Sequence, residues 1–381
     1  MRKMIRYGMV GGDLHAFIGD VHRKSIAFDS LAELAAGCFS TNETKNKETG
    51  DFYRLESDRI YTSFQEMAEK EALREDKIHF VCITTPNAAH YDAAKAFLLQ
   101  NIHVVCEKPL CFEIEQALEL EKLAKERNLL FGVTYSYSGN PMVKFAKERI
   151  EQGELGKIIN VSGEYLQEWL IDDLGEASST SKMSSWRADP KAAGISNCVG
   201  DIGSHIENTV QYMTGLKIKR VAARLDYFGH ELDLNANILV EYDNGAVGNY
   251  SSSQVAIGHT NDLRIRIFGT KGAIEWREEV PNDLIFTKKG QPPQIFSRGN
   301  GYMKGRAADI SRIPAGHPEG YYESFANFYR IYITAISKLL DNQPLDQNDL
   351  DFPSVSDGIE GVKFIHAVVK SGKKDAQWIS L

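Results

Sequence analysis

The chain predicts a doubly wound, parallel α/β domain followed by an α+β domain with a mainly antiparallel sheet. Three observations carry this. The first 135 residues alternate short apolar runs with helix-length segments, and repeated β-α units of this length build parallel sheets with right-handed crossovers. The run Phe80 to Thr84 is almost continuously apolar, as a strand covered on both faces is. After Tyr135, long strand-like segments are punctuated by Asp243-Asn244-Gly245 and Thr270-Lys271-Gly272, and Asn-Gly between alternating strands signals a hairpin.

Taken in order, Ile5 to Val10 reads as a strand ending in Gly11-Gly12, and a helix follows from about Ile18 to Phe28. Leu34 to Phe39 is the second strand. The polar stretch Ser40 to Asp58 shows no clear period. Phe64 to Arg74 is helical, His79 to Thr84 a strand, Ala88 to Gln100 a helix and His103 to Cys106 a strand. Glu113 to Arg127 is helical with few breakers, and Leu130 to Thr134 is a fifth strand. Pro141 to Glu151 is an amphipathic helix. Strands are expected at Val221 to Tyr227, Ala236 to Tyr242, Ala246 to Ser253, Leu263 to Phe268 and Ala273 to Trp276. Ala188 to Gly203 reads as irregular and Arg298 to Pro318 as a long loop, a class that is often functional or mobile. Helices at Tyr321 to Leu340 and Val362 to Lys370 complete the chain. The expected division is 1–135, 136–345, and a segment 346–381 whose helix packs back on the first domain.

Bulk properties narrow the function. At about 150 residues per domain, 381 residues suggest two or three domains, enough to bury a core without staples. Hydrophobic residues at 43% and charged residues at 25% exclude disordered and fibrous classes. The net charge is −8 and no basic run exceeds Lys-Lys, which argues against nucleic acid and anionic membranes as partners. The five cysteines, Cys38, Cys82, Cys106, Cys111 and Cys198, are odd in number and lack CxxC spacing, as in a reducing compartment. No secretory signal or run of about 20 apolar residues appears. The expectation is a cytoplasmic enzyme, with no metal, since HxH and HExxH spacings are absent.

The chemistry-bearing residues cluster at expected strand ends. Gly11-Gly12 follows the first strand, and Gly19 lies seven residues beyond Gly12. A dinucleotide turn uses glycine for the tight bend and for backbone approach to a pyrophosphate, with a helix N-terminus behind it. The strict GxGxxG spacing is broken here, so the turn is longer than usual. Gly11, Gly12, Phe17 and Ile18 are the candidate contacts. After the second strand stand Ser40, Thr41 and, nearby, Lys45, with no acid at the position that would select a ribose 2′-hydroxyl. NAD and NADP both remain open. Thr85, Pro86 and Asn87 close the third strand, where Asn87 also suits a helix cap, and His90 one turn on reads as structural. Glu107-Lys108-Pro109 closes the fourth strand on the same edge, with Lys108–Pro109 a candidate cis peptide. Asp201 and His205 are four residues apart. If both are helical they share a face, whereas Ser204-x-x-Glu207 reads as a capping box that would start the helix at Ser204. A histidine beside a carboxylate suits general base work. Trp186, Arg187 and Tyr137 are candidate walls for a polar ring substrate, although for a tryptophan core burial is the reading to prefer.

Together these motifs, from the glycine turn through Thr85-Pro86-Asn87 and Glu107-Lys108-Pro109 to Gly200-Asp201-Ile202-Gly203-Ser204-His205, resemble the Gfo/Idh/MocA family over nearly the whole chain. The resemblance implies a Rossmann domain, NAD or NADP, and a second domain with a large open sheet that often forms the oligomer interface of a homodimer or homotetramer. It implies that Lys108 bridges a substrate hydroxyl and the nicotinamide ribose, that His205 is the acid/base and that Asp201 is its partner. Glu107 counts among the cofactor contacts. Two departures stand out: the insertion in the glycine turn, and Thr134-Tyr135-Ser136-Tyr137 in place of a strand end containing His or Asn. The tail His317-Pro318-Glu319-Gly320-Tyr321 resembles a subgroup of sugar dehydrogenases.

The expected reaction is hydride transfer between nicotinamide and a secondary hydroxyl of a sugar, glycoside or inositol-like polyol. The alternatives are a sugar–sugar oxidoreductase that keeps its cofactor, and a non-catalytic NAD(P)-binding regulator. Intact Lys108, Asp201 and His205 argue against the regulator.

Overall fold

The structure, a computed structural model, describes residues 4–174, 186, 187 and 189–381. In chain order the elements are β1 (Ile5–Gly11), α1 (Phe17–Ala27), β2 (Ala32–Cys38), α2 (Glu43–Phe52), α3 (Phe64–Ala72), β3 (Phe80–Thr84), α4 (His90–Leu99), β4 (His103–Cys106), α5 (Ile114–Glu126) and β5 (Phe131–Val133). There follow α6 (Pro141–Glu151), β6 (Ile158–Leu166), α7 (Pro190–Ala193), α8 (Ser204–Thr214), β7 (Ile218–Asp226), β8 (Asn235–Tyr242), β9 (Val247–Ser253) and β10 (Asp262–Gly269). The remainder is β11 (Gly272–Arg277), β12 (Asp283–Lys288), β13 (Gln294–Ser297), α9 (Gly305–Asp309), α10 (Tyr321–Leu340), α11 (Val355–Gly372) and β14 (Ile379–Ser380). Two units result: Met1–Gly139 with Tyr321–Ile359, and Asn140–Gly320 with Glu360–Leu381.

The first unit is built on a parallel sheet of order β2-β1-β3-β4-β5. The chain leaves β1 for β2 on one side and returns to β3 on the other. That reversal is the switch point at which open α/β sheets bind ligands. The core gathers Ile5, Tyr7, Val21 and Phe80 with Phe325, Phe328, Tyr329, Tyr332, Ile333 and Ile336. The last six recur at helical spacing along one face of α10, so this late helix belongs with the first unit rather than within a contiguous 136–345. The polar stretch after β2 holds α2, which buries only Asn46, Thr49 and Gly50. Asn42 caps it by accepting from the Lys45 N–H at 3.0 Å, and with no apolar stripe the sequence shows no period.

The second unit carries a nine-stranded sheet of order β13-β12-β11-β10-β6-β9-β8-β7-β14. Only the β6–β9 pairing is parallel; the others are antiparallel. Alternation is clear in β8, where Ala236, Ile238, Val240 and Tyr242 are buried and Asn237 and Leu239 face outward. Helix α8 packs on β6 at Gly163, where a Cβ would lie 2.2 Å from Ile206. Strands β6, β12 and β13 were not anticipated from the sequence: β6 breaks alternation at Ile158-Ile159, β12 is only six residues long, and β13 is a four-residue edge strand. The expected loop 298–318 contains α9 and is pinned by a buried Arg298–Glu319 pair at 2.7 Å. The final helix is longer than expected, beginning at Val355, and residues 360–381 group with the second unit, where β14 pairs with β7. Within the irregular stretch expected at 188–203, Ala188 lies outside the described residues. Among the described residues, no helix is long and apolar enough to cross a membrane.

Candidate functional site

Parallel pairing sets the carboxyl ends of β1, β3 and β4 on one edge of the first unit, with Gly11 opposite Thr84 and Ile83 opposite Cys106. Gly11 and Gly12 have φ of 78° and 72°, a region that favours glycine. A Cβ on Gly11 would meet the Thr84 and Thr85 backbone at 2.9 Å. The insertion folds on itself: Asp13 accepts from the His15 and Ala16 N–H groups, and the Leu14 N–H donates to Thr49 on α2 at 3.3 Å. Helix α1 then returns so closely that a Cβ on Gly19 would lie 2.4 Å from the Gly12 Cα. Gly19 thus meets the turn despite its seven-residue spacing. Ala16 at the N-cap offers no side-chain hydrogen bond, leaving the helix end suited to an anion. Beneath the turn, buried Arg23 donates to the Gly12 carbonyl and to Met9 Sδ and lies 4.5 Å over the Tyr53 ring.

Around this turn, Phe17 is exposed and stacks on Tyr321, and Ile18 is partly buried against the core. Ser40 accepts from the Asn42 N–H, while Thr41 and Lys45 are exposed. Asn87 opens a short 3-10 turn, and neither that turn nor α4 has a side-chain cap, so the capping expectation fails. His90 is buried, with Nδ1 2.8 Å from the Pro109 carbonyl and Nε2 3.0 Å from the Thr85 carbonyl. It joins the two turns, and burial holds its basicity below the ordinary value against those carbonyls. Tyr137 is buried in the turn Ser136–Gly139.

The Lys108–Pro109 bond is cis. Glu107 beside it turns its carboxylate inward. Oε1 accepts from Thr134 Oγ1 at 2.5 Å and lies 2.9 Å from His22 Nε2; Oε2 accepts from the Lys108 N–H at 3.2 Å. His22 Nδ1 is 2.5 Å from the Tyr329 hydroxyl, and Cys82 Sγ lies 3.3 Å from that nitrogen and 3.1 Å from the hydroxyl. Burial pushes Glu107 up, but the His22 bond and charge, then Lys108 and Thr134, bring it down to about 2. Burial likewise disfavours charge on His22, yet Cys82 and Glu107 outweigh it and raise the imidazole to about 10.

In the second unit a π-helical turn, Val199–Gly203, runs directly into α8. Ser204 has helical φ and ψ and donates its hydroxyl to the Gly200 carbonyl at 2.9 Å. The capping-box expectation therefore fails: the helical backbone continues through Ser204, and Asp201 lies one turn before His205 within it. Such wide turns occur often at functional sites. Buried Asp233 accepts from the Asn197 and Val199 N–H groups at 3.1 and 2.9 Å, and Ser196 accepts from the Gly200 N–H. Asp201 Oδ2 accepts from Gln254 Nε2 at 3.0 Å and pairs with Arg187 at 3.5 Å. The Arg187 guanidinium lies 4.4 Å from the Trp186 ring centre and 6.0 Å from that of Trp169. The His205 ring, almost fully buried, is centred 6.0 Å from that of Tyr165. Trp186, Arg187 and Asp201 are thus brought together, with His205 one helical turn on. Among the described residues no group of three or more His, Cys, Asp or Glu could hold a metal.

Comparison with known proteins resolves the class. Residues 5–135 match an oxidoreductase family with an NAD-binding Rossmann fold, and residues 143–275 match the GFO/IDH/MocA C-terminal domain. An uncharacterised oxidoreductase of Bacillus subtilis (strain 168) is 36% identical over 99% of this chain and 97% of its own. The chain belongs to the Gfo/Idh/MocA oxidoreductase family. An inositol dehydrogenase homologue from Azotobacter vinelandii complexed with NAD+ superposes with a TM-score of 0.93 at 34% identity, over 100% of this chain and 98% of that one. Its complex with NADH and myo-inositol gives 0.92 at 33%, with the same coverage. The first unit of this Gfo/Idh/MocA oxidoreductase is accordingly an NAD-binding Rossmann domain. Sequence reasoning missed Gln254 and Asp233, which carry no local signal. It also passed over His22, whose signal was present: a histidine four residues from both Ile18 and Ile26 on the apolar face of α1.

Proposed function

We propose that the protein is an NAD(P)-dependent dehydrogenase that oxidises or forms a secondary hydroxyl on a sugar, glycoside or inositol-like polyol. The observation that carries the reading is an arrangement in the second unit: Asp201 is held by Gln254 and Arg187, one helical turn before His205. The polyol class is supported by the myo-inositol bound in the Azotobacter neighbour.

The glycine turn fits a dinucleotide, because a Cβ at Gly11 would collide with backbone and the end of α1 is uncapped. Gly11, Gly12, Phe17, Ile18, Ser40, Thr41, Lys45 and the Thr85-Pro86-Asn87 turn would hold the nucleotide. Ser40 and Thr41 place hydroxyls and no carboxylate after β2, so a 2′-phosphate meets no repulsion there and both nucleotides enter the assay. The bound nicotinamide supplies hydride acceptance or donation. His205 takes the hydroxyl proton as the carbon is oxidised and returns it in reduction. Asp201 orients His205 or its substrate hydroxyl. Lys108 stabilises the alkoxide as charge develops on oxygen and contacts the cofactor ribose. Glu107, its carboxylate turned inward, contributes through the shape of the turn. Trp186, Arg187 and Tyr137 would face the substrate.

The test is His205→Ala, assayed at the nicotinamide band with inositols, aldoses and glycosides, each with NAD and NADP. Turnover should fall by about 10²–10⁴-fold while NADH binding is kept. Unchanged turnover on the substrate preferred by the parent would refute the assignment. We further propose self-association through the outward face of the second unit's sheet, where Ile159, Leu239, Val247 and Ile295 are exposed.

A further inference from the structure

The Glu107 carboxylate is a meeting point of the Rossmann unit. His22 reaches it from α1, Thr134 from the end of β5, and the Lys108 N–H from the turn it precedes. Tyr329 of α10 and Cys82 of β3 close around the far side of the imidazole. His22 has no exposed surface. It lies three residues beyond Gly19, on the helix that packs against the glycine turn. A carboxylate only accepts hydrogen bonds, so His22 Nε2 must be the donor to Glu107.

We propose that His22 is a positioning residue: through its Nε2–H bond to Glu107 it locks helix α1, and with it the glycine turn, to the turn that presents Lys108. Two parts of the nucleotide and substrate edge then keep a fixed relation, although 96 residues separate Gly12 from Lys108 in the chain. Without the donor, a buried carboxylate keeps only Thr134 and the Lys108 N–H. It must then take up a proton or move, and either change shifts the lysine turn. The His22 bond and charge are the chief pull that holds the Glu107 carboxyl low, and Glu107 adds to the larger effect of Cys82 in raising His22, which agrees with this geometry. The inference rests on Lys108 acting in the reaction.

The test compares two amides of nearly equal chemistry. His22→Gln carries its amide nitrogen at the position of Nε2 and keeps the bond to Glu107. His22→Asn carries it at the position of Nδ1, facing Tyr329 and Cys82, and loses that bond. NADH affinity is read by fluorescence titration, and kcat and KM are read with NAD+ and myo-inositol. A loss of roughly 1 Å in registration costs on the order of 10²-fold. His22→Asn should therefore bind NADH and turn over at least about tenfold worse than His22→Gln, with KM for the polyol little changed. A purely structural role would lower the melting temperature of both variants without separating them in NADH affinity or kcat. Equal NADH affinity and kcat in the two folded variants, or a better Asn variant, would overturn the proposal. Lys108→Ala run alongside separates the two ideas. If that variant keeps the parent's turnover, the reading of Lys108 is at fault, and the NADH titration still judges His22.

Discussion

Gly19→Ala is the sharpest probe of the nucleotide edge. The added Cβ would stand 2.4 Å from the Gly12 Cα and 3.0 Å from its carbonyl carbon and oxygen. Carbon atoms in contact prefer about 3.5–4.0 Å, so helix and turn must part by roughly 1 Å. Both neighbours are backbone, and no flexible side chain can yield. Overpacking of this kind costs about 1–3 kcal/mol, against a gain of about 1 kcal/mol from replacing glycine inside a helix. Global stability should therefore fall by about 0–2 kcal/mol. If the strain is felt in the nucleotide-bound turn, NADH affinity should fall about 5- to 150-fold, which is 1–3 kcal/mol of coupling. Calorimetric titration with NADH and a thermal melt on the same preparation separate the two effects. A variant about 1 kcal/mol more stable with unchanged NADH affinity would show that the Gly12–Gly19 contact does not shape the site.

Three further outcomes follow from buried polar groups. The folded state holds Glu107 below its ordinary 4.5, at about 2, so its contribution is complete above pH 4.5 and fades as pH falls toward 2. It holds His22 above its ordinary 6.5, at about 10, so that contribution is complete below pH 6.5 and fades as pH rises toward 10. Denaturant titrations should show the parent losing stability across that alkaline range and His22→Gln losing distinctly less; parallel curves would count against the pair. Asp233→Asn offers one acceptor to two N–H groups and should cost about 1–3 kcal/mol, lowering turnover while NADH affinity stays put in a fluorescence titration. Glu319→Ala breaks the Arg298 pair and releases two further N–H donors, those of Arg312 and Ile313; it should destabilise by about 3–5 kcal/mol and speed proteolysis within 298–318.

The fold was legible where periodicity was clean. The 141–151 and 321–340 helices announce their type and nearly their limits, because burial on a fixed face imposes a fixed period, and FVCIT announces itself as a short unbroken apolar run because both its faces are buried. Helix α2 escaped notice because its few buried contacts are polar. Strand β6 escaped because Gly163 yields space to Ile206 where a larger residue would have marked the strand. In the site, motif residues could be named since each needs a particular side chain at a strand end. Their supports could not. Gln254 reaches Asp201 across 53 positions, and nothing local marks such a contact. The capping box illustrates the opposite failure, a valid local pattern overridden because Ser204 found its acceptor in Gly200.

The contribution of α10 to the first core has a consequence for biosynthesis. Phe325, Phe328, Tyr329 and Tyr332 fill the interior of a unit whose five parallel strands and the helices between them end by Gly139. The roughly 180 residues between Gly139 and Tyr321 take about 10–40 s to synthesise at ordinary elongation rates. Throughout that interval the nascent parallel sheet is without the aromatic helix that completes its interior, while the intervening residues emerge. Order of synthesis and order of completion are thus inverted: the domain begun first is among the last to close. A fragment ending near residue 139 would be a sheet with its interior open, and its fitting partner is a peptide spanning 321–359.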